Sequence, residues 1–249
     1  MYERIPALET LFDEYQLTSK DRAYIVRDLL RLKKKDLVTY SHSIRTTFLA
    51  MEIAKYLGLN PRALLFAGPR HDVGKLEVPD KILKKKGIFN DADRAVMSQH
   101  PTDTAIHVSQ TNPYSALIGV NHHRHAVKPY PKSIPKIEAL QNLSHEAKIS
   151  AHKESKLLAI ADWFDAAVYR RNSKFIGKEV TLDVIRREMI KEMPKLKGTI
   201  DKLFEGGFFK TEMLLPLKRN KYVFPKRFAR EKAIQSRVFK QKPSPRRRH

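Results

Sequence analysis

Residues 37–57, LVTYSHSIRTTFLAMEIAKYL, carry the pattern that decides the fold class of this chain. Apolar side chains recur there every three or four residues, at Tyr40, Ile44, Phe48, Met51, Ala54 and Leu57. This spacing places them on one face of an α-helix, and the glycine that follows, Gly58, is a typical residue to end one. The stretch therefore predicts a helix with one buried face.

Similar signals continue along most of the chain and favour an all-α fold. Asn60-Pro61 is typical of a helix start, with Asn60 as the cap and Pro61 at the first helical position. Residues 90–93, NDAD, resemble a capping box before a helix that stops at His100-Pro101. Residues 155–171 and 181–193 predict two more helices. No segment alternates like a half-buried strand. We predict a helical bundle with short N-terminal helices and a basic C-terminal tail.

The charge of the chain is strongly positive. Its 249 residues include 49 Lys and Arg against 27 Asp and Glu, a net charge of +22. Such a field attracts anions, so an anionic partner is expected. Nucleotides, nucleic acid and an acidic membrane face all fit this sign, and composition does not choose among them.

The C-terminal segment, residues 217–249, holds an outsized share of this charge. It contains thirteen Lys and Arg and one acid, Glu231. Two interpretations stay open for this predicted basic tail. It is either a solvated tail or an arm that binds nucleic acid or an acidic protein partner.

Residue types that are absent exclude several classes of protein. The chain has no cysteine, which excludes disulfides and thiolate zinc sites. Its first ten residues lack the apolar run of a secretory signal, and no stretch is long enough for a membrane span. We therefore expect a soluble, cytoplasmic protein.

One short motif combines a histidine, a carboxylate, a glycine and a lysine: residues 71–75, HDVGK. Adjacent side chains diverge on a regular helix, but at a helix end His71 and Asp72 can converge on one cation. Imidazole and carboxylate together suit Zn, Mn or Fe. Pro69, two residues earlier, is expected to kink or end the preceding helix.

A second candidate ligand is Asp162, within the apolar stretch LLAIADWFDAA of residues 157–167. A buried carboxylate without a partner costs several kcal/mol, and a bound cation would remove that cost. The alternative is that Asp162 caps a helix or pairs with an arginine inside the fold.

Four further histidines, His42, His100, His122 and His123, complete the candidate set. Each alone is more often an ordinary interior or surface histidine. Together with His71, Asp72 and Asp162 they supply five imidazoles and two carboxylates, enough for two metal ions. Paired metals are a standard device for phosphodiester hydrolysis, because they activate a water and neutralise the phosphoryl oxygens.

The order of these motifs over residues 36–209 resembles the HD-GYP family of metal-dependent phosphodiesterases. The stretches that carry the resemblance are HSIR (42–45), HDVGK (71–75), VPDKIL (78–83), HP (100–101), HH (122–123) and ADWFDA (161–166). We accordingly divide the chain into an N-terminal helical extension (1–35), an HD-GYP-like phosphodiesterase domain (36–216) and the basic tail (217–249).

The resemblance implies a role for each candidate. His42, His71, Asp72 and Asp162 would hold one divalent ion, with Asp72 bridging to a second. His100, His122 and His123 would hold the second ion. Fe or Mn would be preferred, without excluding Zn, Ni or Mg. Lys75 would lie by the scissile phosphate of cyclic di-GMP or a related cyclic dinucleotide.

Two residues beyond Asp162 bear on the substrate. The family places an arginine nine residues and a lysine twelve residues after the last metal aspartate, where they grip the dinucleotide phosphates. Arg171 and Lys174 stand at these spacings. The alternative is that both are ordinary surface charges of a basic protein.

The loop after the paired histidines departs from the family pattern. The family has an acid, then Asp-Gly, then Gly-Tyr-Pro; this chain has Arg124 and then HAVKPYP, one residue short and without glycine. Tyr130-Pro131 is the part that survives, and Tyr130 is the expected substrate contact there. Val38 stands where members with a third metal carry glutamate, so a third metal is not expected.

Three functions remain open on the sequence. The first is a two-metal cyclic dinucleotide phosphodiesterase, in which Asp72 and Lys75 are the catalytic residues. The second is a non-catalytic module that binds the nucleotide or a partner protein and keeps the metal cluster as structure. The third is a nucleic-acid-binding protein that uses the basic tail, whose affinity would fall steeply with salt.

Overall fold

The computed structural model describes residues 5–169, 175 and 178–219, and within these residues every regular element is helical. This confirms the predicted all-α class. The α-helices are α1 (Pro6–Glu14), α2 (Ser19–Lys35), α3 (Leu37–Tyr56), α4 (Arg62–Ala67), α5 (Asp80–Leu83), α6 (Asp91–Met97), α7 (His100–Ser109), α8 (Pro113–Asn121), α9 (Glu138–Gln141), α10 (His145–Tyr169), α11 (Leu182–Glu192), α12 (Lys197–Glu205) and α13 (Leu215–Arg219). Short 3₁₀ helices lie at Gly68–Arg70, Val73–Leu76, His122–His125, Pro194–Leu196 and Thr211–Leu214.

Helix α3 forms where the opening pattern predicts it and ends by the predicted device. Asp36 caps it, because its carboxylate accepts hydrogen bonds from the Thr39 backbone N–H at 2.8 Å and hydroxyl at 2.7 Å. At the other end Gly58 adopts a φ of +73°, a left-handed conformation that glycine takes without steric cost. The helix packs against α10 at the centre of the molecule.

The N-terminal helices α1 and α2 share one hydrophobic core with the rest of the molecule. Leu8, Phe12, Ile25 and Leu29 are buried in the same cluster as the side chains of α3 and α10. The residues of the predicted extension therefore pack as part of the body. At the other end Leu217, the first residue of the predicted tail, is also buried.

Several helix boundaries differ from those predicted. Helix α4 begins at Arg62, and the Asn60 side chain accepts a hydrogen bond from the Arg62 N–H at 2.9 Å. The capping box at Asn90 is present, but α6 ends at Met97, so His100 begins the next helix. Helix α10 starts at His145, ten residues before the predicted start.

Proline 69 ends the regular helix before the His-Asp motif, as predicted. Helix α4 stops at Ala67, and Pro69 lies inside the 3₁₀ helix Gly68–Arg70. The following residues therefore leave the regular α-helix, which gives adjacent side chains the freedom to point to one place.

No helix within the described residues is both long and apolar enough to cross a bilayer.

Candidate metal centre

The His-Asp motif lies between two 3₁₀ helices, Gly68–Arg70 and Val73–Leu76, against α7. The contact is close at Gly74, whose N–H donates to the Thr104 hydroxyl at 2.9 Å. A Cβ on Gly74 would overlap the His100 carbonyl and lie 2.6 Å from the Thr104 nitrogen. The absence of a side chain at Gly74 thus lets the motif approach the helix that carries His100.

Four buried histidines of the centre share one orientation device. In each ring Nδ1 contacts a fixed acceptor, so the tautomer with a proton on Nδ1 leaves Nε2 available to a ligand. The pairs, with their distances, are His42 with Asp165 Oδ2 (2.6 Å), His71 with Gly68 O (2.7 Å), His100 with Met97 O (2.7 Å) and His122 with Gly119 O.

The Nε2 atoms of three of these histidines lie close to the carboxylates of Asp72 and Asp162. His42 Nε2 lies 2.8 Å from Asp162 Oδ1 and 3.6 Å from Asp72 Oδ2. His71 Nε2 lies 3.5 Å from Asp72 Oδ2 and 3.8 Å from Asp162 Oδ1. His100 Nε2 lies 3.2 Å from Asp72 Oδ1. Asp72 therefore stands between His42 and His71 on one side and His100 on the other.

All seven predicted ligands are brought together. Their donor atoms form three overlapping groups, each with all atoms within 4.8 Å of one another: His42, His71 and Asp162; His71, Asp72 and His122; and His100, His122 and His123. The second group shares His71 with the first and His122 with the third, so the three groups form one continuous cluster. The carboxylate of Asp162 lies close to histidines. The alternative, that Asp162 pairs with an arginine inside the fold, does not apply within the described residues, because the buried Arg45 pairs with a different carboxylate.

The donor atoms of this centre fit a cation because several have no other partner. Within the described residues, no hydrogen bond satisfies the Nε2 atoms of His71, His100 and His122 or Oδ1 of Asp72, although all four are buried. Unsatisfied buried polar atoms are rare and costly. Imidazole and carboxylate donors suit Zn, Mn and Fe, so the residues present fit a divalent metal.

Asp165 was not predicted from the sequence, and it holds His42 in place. It accepts from Arg45 Nε at 2.6 Å and Nη2 at 2.8 Å while contacting His42 Nδ1. Asp165 stands three residues after Asp162 and Arg45 three after His42, so each pair shares one helix face. That repeated spacing on two apolar helices is the signal that could have found the pair.

The carboxylates of the centre are strongly acidic. Burial alone would raise the pKa of Asp72, but the charges of Lys75 and His71 outweigh it and hold that pKa well below its usual range. Burial likewise opposes the low pKa of Asp162, which the nearby imidazoles of His42 and His71 produce. Both groups are therefore ionised at neutral pH, as metal binding requires.

Two histidines of the centre are neutral at the same pH. Burial, reinforced by the charge of His71, lowers the pKa of His122 to about 3. Burial also holds the pKa of His123 well below its usual range. Neutral imidazole is the form that binds metal.

A cleft of about 1100 Å³ opens onto the centre. His42, Lys75, His100 and His123 line it. The ammonium of Lys75 lies 2.5 Å from Asp72 Oδ2, so a positive charge stands between the buried carboxylate and the open space.

Tyr130 stands in this cleft, and its ring lies 4.4 Å from the ring of His123. Val38 also lines the cleft, one turn before His42 on α3, and offers no metal ligand at that position. Arg171 and Lys174, the predicted phosphate contacts, lie outside the described residues, as does the predicted tail from residue 220 onward.

An all-helical body that gathers histidines and aspartates around a His-Asp motif defines a class of metal-binding domain. The model of the HD domain family matches residues 39–167, about half of the chain. The chain therefore belongs to the HD domain family, and the predicted kinship is confirmed.

Several characterised proteins are similar to this chain. A cyclic di-GMP phosphodiesterase of Thermotoga maritima is 30% identical over 177 residues, covering 67% of this chain and 45% of that protein. A 3'3'-cGAMP-specific phosphodiesterase of Vibrio cholerae is 31% identical over 143 residues, covering 55% of this chain and 30% of that protein. The chain thus spans less than half of the length of these relatives.

Among solved structures, the chain is similar to the HD domain of the L. monocytogenes phosphodiesterase PgpH in complex with cyclic di-AMP. The two are 20% identical with a TM-score of 0.46, over 88% of this chain and all of the other.

Proposed function

We propose that this chain is a metal-dependent phosphodiesterase that hydrolyses cyclic di-GMP or a related cyclic dinucleotide. The observation that carries the proposal is the convergence of five histidines and two aspartates, among which four buried donor atoms, Nε2 of His71, His100 and His122 and Oδ1 of Asp72, have no hydrogen bond within the described residues. The HD domain family and the named activities of its relatives are consistent with this reaction.

In this proposal the seven side chains hold two divalent ions. His42, His71, Asp72 and Asp162 bind the first, and His100, His122 and His123 bind the second. Asp72 would be shared by both ions, which is supported by its two oxygens facing different histidines. Fe or Mn is the preferred metal, and the same donors also accept Zn or Ni and, less favourably, Mg.

The ions would supply a water made acidic enough to attack phosphorus and a positive charge for the phosphoryl oxygens. The protein's own residues hold the substrate and orient the metal ligands. Lys75 presents its ammonium beside Asp72, where it can contact a phosphate oxygen of the scissile bond. Asp165 and Arg45 fix the ring of His42. Tyr130, whose ring lies 4.4 Å from that of His123, offers an aromatic surface to the substrate.

The substrate assignment rests on the size of the cleft, the relatives and the spacing of Arg171 and Lys174. We propose that these two residues grip the phosphates of the dinucleotide, with residues 36–216 as the catalytic domain. The basic tail, 217–249, is proposed as a separate contact for an acidic protein or nucleic acid.

A second candidate function is a non-catalytic module that binds a cyclic dinucleotide and keeps the metal as structure. The observation that favours it is the loop after His123, which lacks the glycines and acids of the resembled family. A loop without glycine is restricted to fewer backbone paths, so the substrate could bind without reaching the reactive geometry.

The deciding experiment is a hydrolysis assay on protein purified without oxygen and loaded with Mn²⁺ or Fe²⁺. Cyclic di-GMP, 3'3'-cGAMP and cyclic di-AMP are offered in parallel, and the products are separated by chromatography. The proposal expects turnover of at least one of them that disappears with a chelator. Binding without turnover would favour the non-catalytic module, and neither binding nor turnover would overturn the substrate class.

A further inference from the structure

The loop that departs from the family pattern is held in a defined position. The Val127 N–H donates to the carbonyl of Glu192, at the end of α11, at 2.8 Å. The guanidinium of Arg124 bridges the Asn121 side chain at 3.1 Å and the Lys132 carbonyl at 3.5 Å. Tyr130 adds its ring contact with His123. Residues 124–132 are thereby fixed at both ends and at the cleft.

Six cations line the cleft, and most already have a carboxylate partner. Lys75 pairs with Asp72, Lys84 with Asp80, Lys85 with Asp93 and Arg94 with Asp91. Lys86 and Lys128 line the same cleft, are exposed, and form no ion pair within the described part of the chain. A cation without an internal counter-charge is available to an anionic ligand.

Lys128 is the better placed of these two cations. It stands two residues before Tyr130, so its backbone lies within about 7 Å of the residue whose ring contacts that of His123. Lys86 lies in the connection between α5 and α6, which carries none of the candidate metal ligands. Lys128 lines the same cleft as the candidate ligands His100 and His123.

We propose that Lys128 forms a subsite for the phosphate of a cyclic dinucleotide that is not being cut. This inference rests on the proposed function, because it assumes a substrate with two phosphates. One phosphate lies at the metal centre beside Lys75, and the ring of the dinucleotide carries the other into the cleft. A second cation there stabilises the bound state by a charge-assisted contact. The loop has thus exchanged the family's acids and glycines for a substrate contact.

The test compares substrates with two phosphates and with one. Lys128→Ala should raise KM for the hydrolysed cyclic dinucleotide about tenfold and leave kcat within about twofold, since the lost contact is away from the reacting bond. KM for bis(p-nitrophenyl) phosphate, which has one phosphate, should stay within about twofold. Lys128→Arg keeps the charge and should restore most of the affinity.

Lys132→Ala is the matched control, because Lys132 is an exposed lysine of the same loop that does not line the cleft. It removes the same charge and should change neither KM by more than about twofold. The proposal is overturned if Lys128→Ala keeps the parent KM, if Lys132→Ala shows the same loss, or if both substrates lose affinity equally.

A binding measurement separates this inference from the proposed activity. Calorimetric titration of the metal-loaded parent and Lys128→Ala with a phosphorothioate cyclic di-GMP, which resists hydrolysis, should show a Kd about tenfold weaker in the variant. If the parent binds this probe but hydrolyses no dinucleotide, only the proposed activity is wrong. The two Kd values then still test the subsite. If the parent does not bind it, the subsite falls.

Discussion

At the residue scale, the centre depends on which nitrogen of each histidine is occupied. Gly68, Met97 and Gly119 offer backbone carbonyls and Asp165 a carboxylate, and each takes one Nδ1. These acceptors fix the tautomer and orientation of the rings before any ion binds. Preorganised rings lose little further freedom on binding, which favours affinity.

Asp165 is the side chain through which this orientation can be tested. Asp165→Asn keeps the shape but removes the charge that Arg45 and His42 share, so His42 should be held less firmly. We expect metal affinity to fall about 10- to 100-fold, the usual effect of losing an outer partner of a ligand. Competition with a fluorescent chelator measures it. Asp183→Asn, at an exposed aspartate, serves as control. Unchanged metal affinity in Asp165→Asn would contradict the role of Asp165 in positioning His42.

Arg171 tests whether substrate grip is separate from metal binding. Arg171→Ala should weaken cyclic dinucleotide binding by about 1.5–3 kcal/mol, the usual size for a hydrogen bond to a charged group, with metal content unchanged. Asp72→Ala should do the reverse, emptying the centre and removing turnover at any substrate concentration. Calorimetry and metal analysis of both variants, with Arg187→Ala as control, measure this. If Arg171→Ala binds the cyclic dinucleotide as tightly as the parent does, the spacing of Arg171 after Asp162 is a coincidence.

Three of the seven candidate ligands stand out in the sequence because their types are costly or unusual where they stand, whereas His42, His100, His122 and His123 are each ordinary alone and were grouped by the order of the motifs. Asp162 in an apolar helix and His71-Asp72 beside a glycine each demand a partner. The role of Asp165 was not predicted because it lies in the same motif as Asp162 and on the same helix, where it gave no separate signal. Its partner Arg45 is 120 positions away, and only the packing of α3 on α10 brings the two together.

At the element scale, α7 and the His-Asp motif approach so closely that Gly74 has no room for a side chain. Gly74→Ala should displace backbone and reduce the free energy of unfolding by more than about 2 kcal/mol, and it should weaken metal binding through His100. Urea denaturation and chelator competition measure the two effects.

Gly119→Ala is the matched control for this close approach. Its Cβ would meet a side-chain methyl of Thr104 at 3.3 Å, and the gain in helix propensity offsets the crowding. We expect its stability to stay within about 1 kcal/mol of the parent. Equal effects of the two substitutions would contradict the special closeness at Gly74.

The elements themselves were predictable in type but less so in extent. Helix α10 begins at His145 because the Ser144 hydroxyl accepts from the Ala147 N–H at 3.1 Å, which is a local capping signal. The first ten residues of that helix are mostly polar, so their periodicity is weak and the sequence indicated a later start. Helix α7 begins at His100 because Pro101 can stand in a first turn, where its missing N–H costs nothing.

At the scale of the whole molecule, a buried ion pair joins the N-terminal helices to the metal centre. Asp28 of α2 is 0% exposed and accepts from Arg70 Nε at 2.7 Å, one residue before His71. Arg70 also donates to the Thr111 hydroxyl at 2.9 Å. Sequence patterns gave no sign of this pair, since its members are 42 residues apart and charged residues are usually exposed.

Removing one member of this pair should be costly, because Arg70 would stay buried with its charge unpaired. Asp28→Ala is expected to reduce the free energy of unfolding by about 3–5 kcal/mol. Arg27→Ala is the control, since the Arg27 side chain is 48% exposed and its contact with Asp28 should contribute less than about 1 kcal/mol. Urea denaturation of both variants measures this, and a loss under about 1 kcal/mol in Asp28→Ala would contradict a structural role for the pair.

The central claim is that seven side chains from five separate parts of the chain form one centre for two divalent ions. The most direct measurement is the metal content of the chain, purified without oxygen, equilibrated with Mn²⁺ or Fe²⁺ and freed of loosely bound ions by gel filtration. Mass spectrometry of the digested protein should find about two ions per chain. About one ion per chain or fewer would contradict the account, because the seven side chains would then not form a centre for two ions.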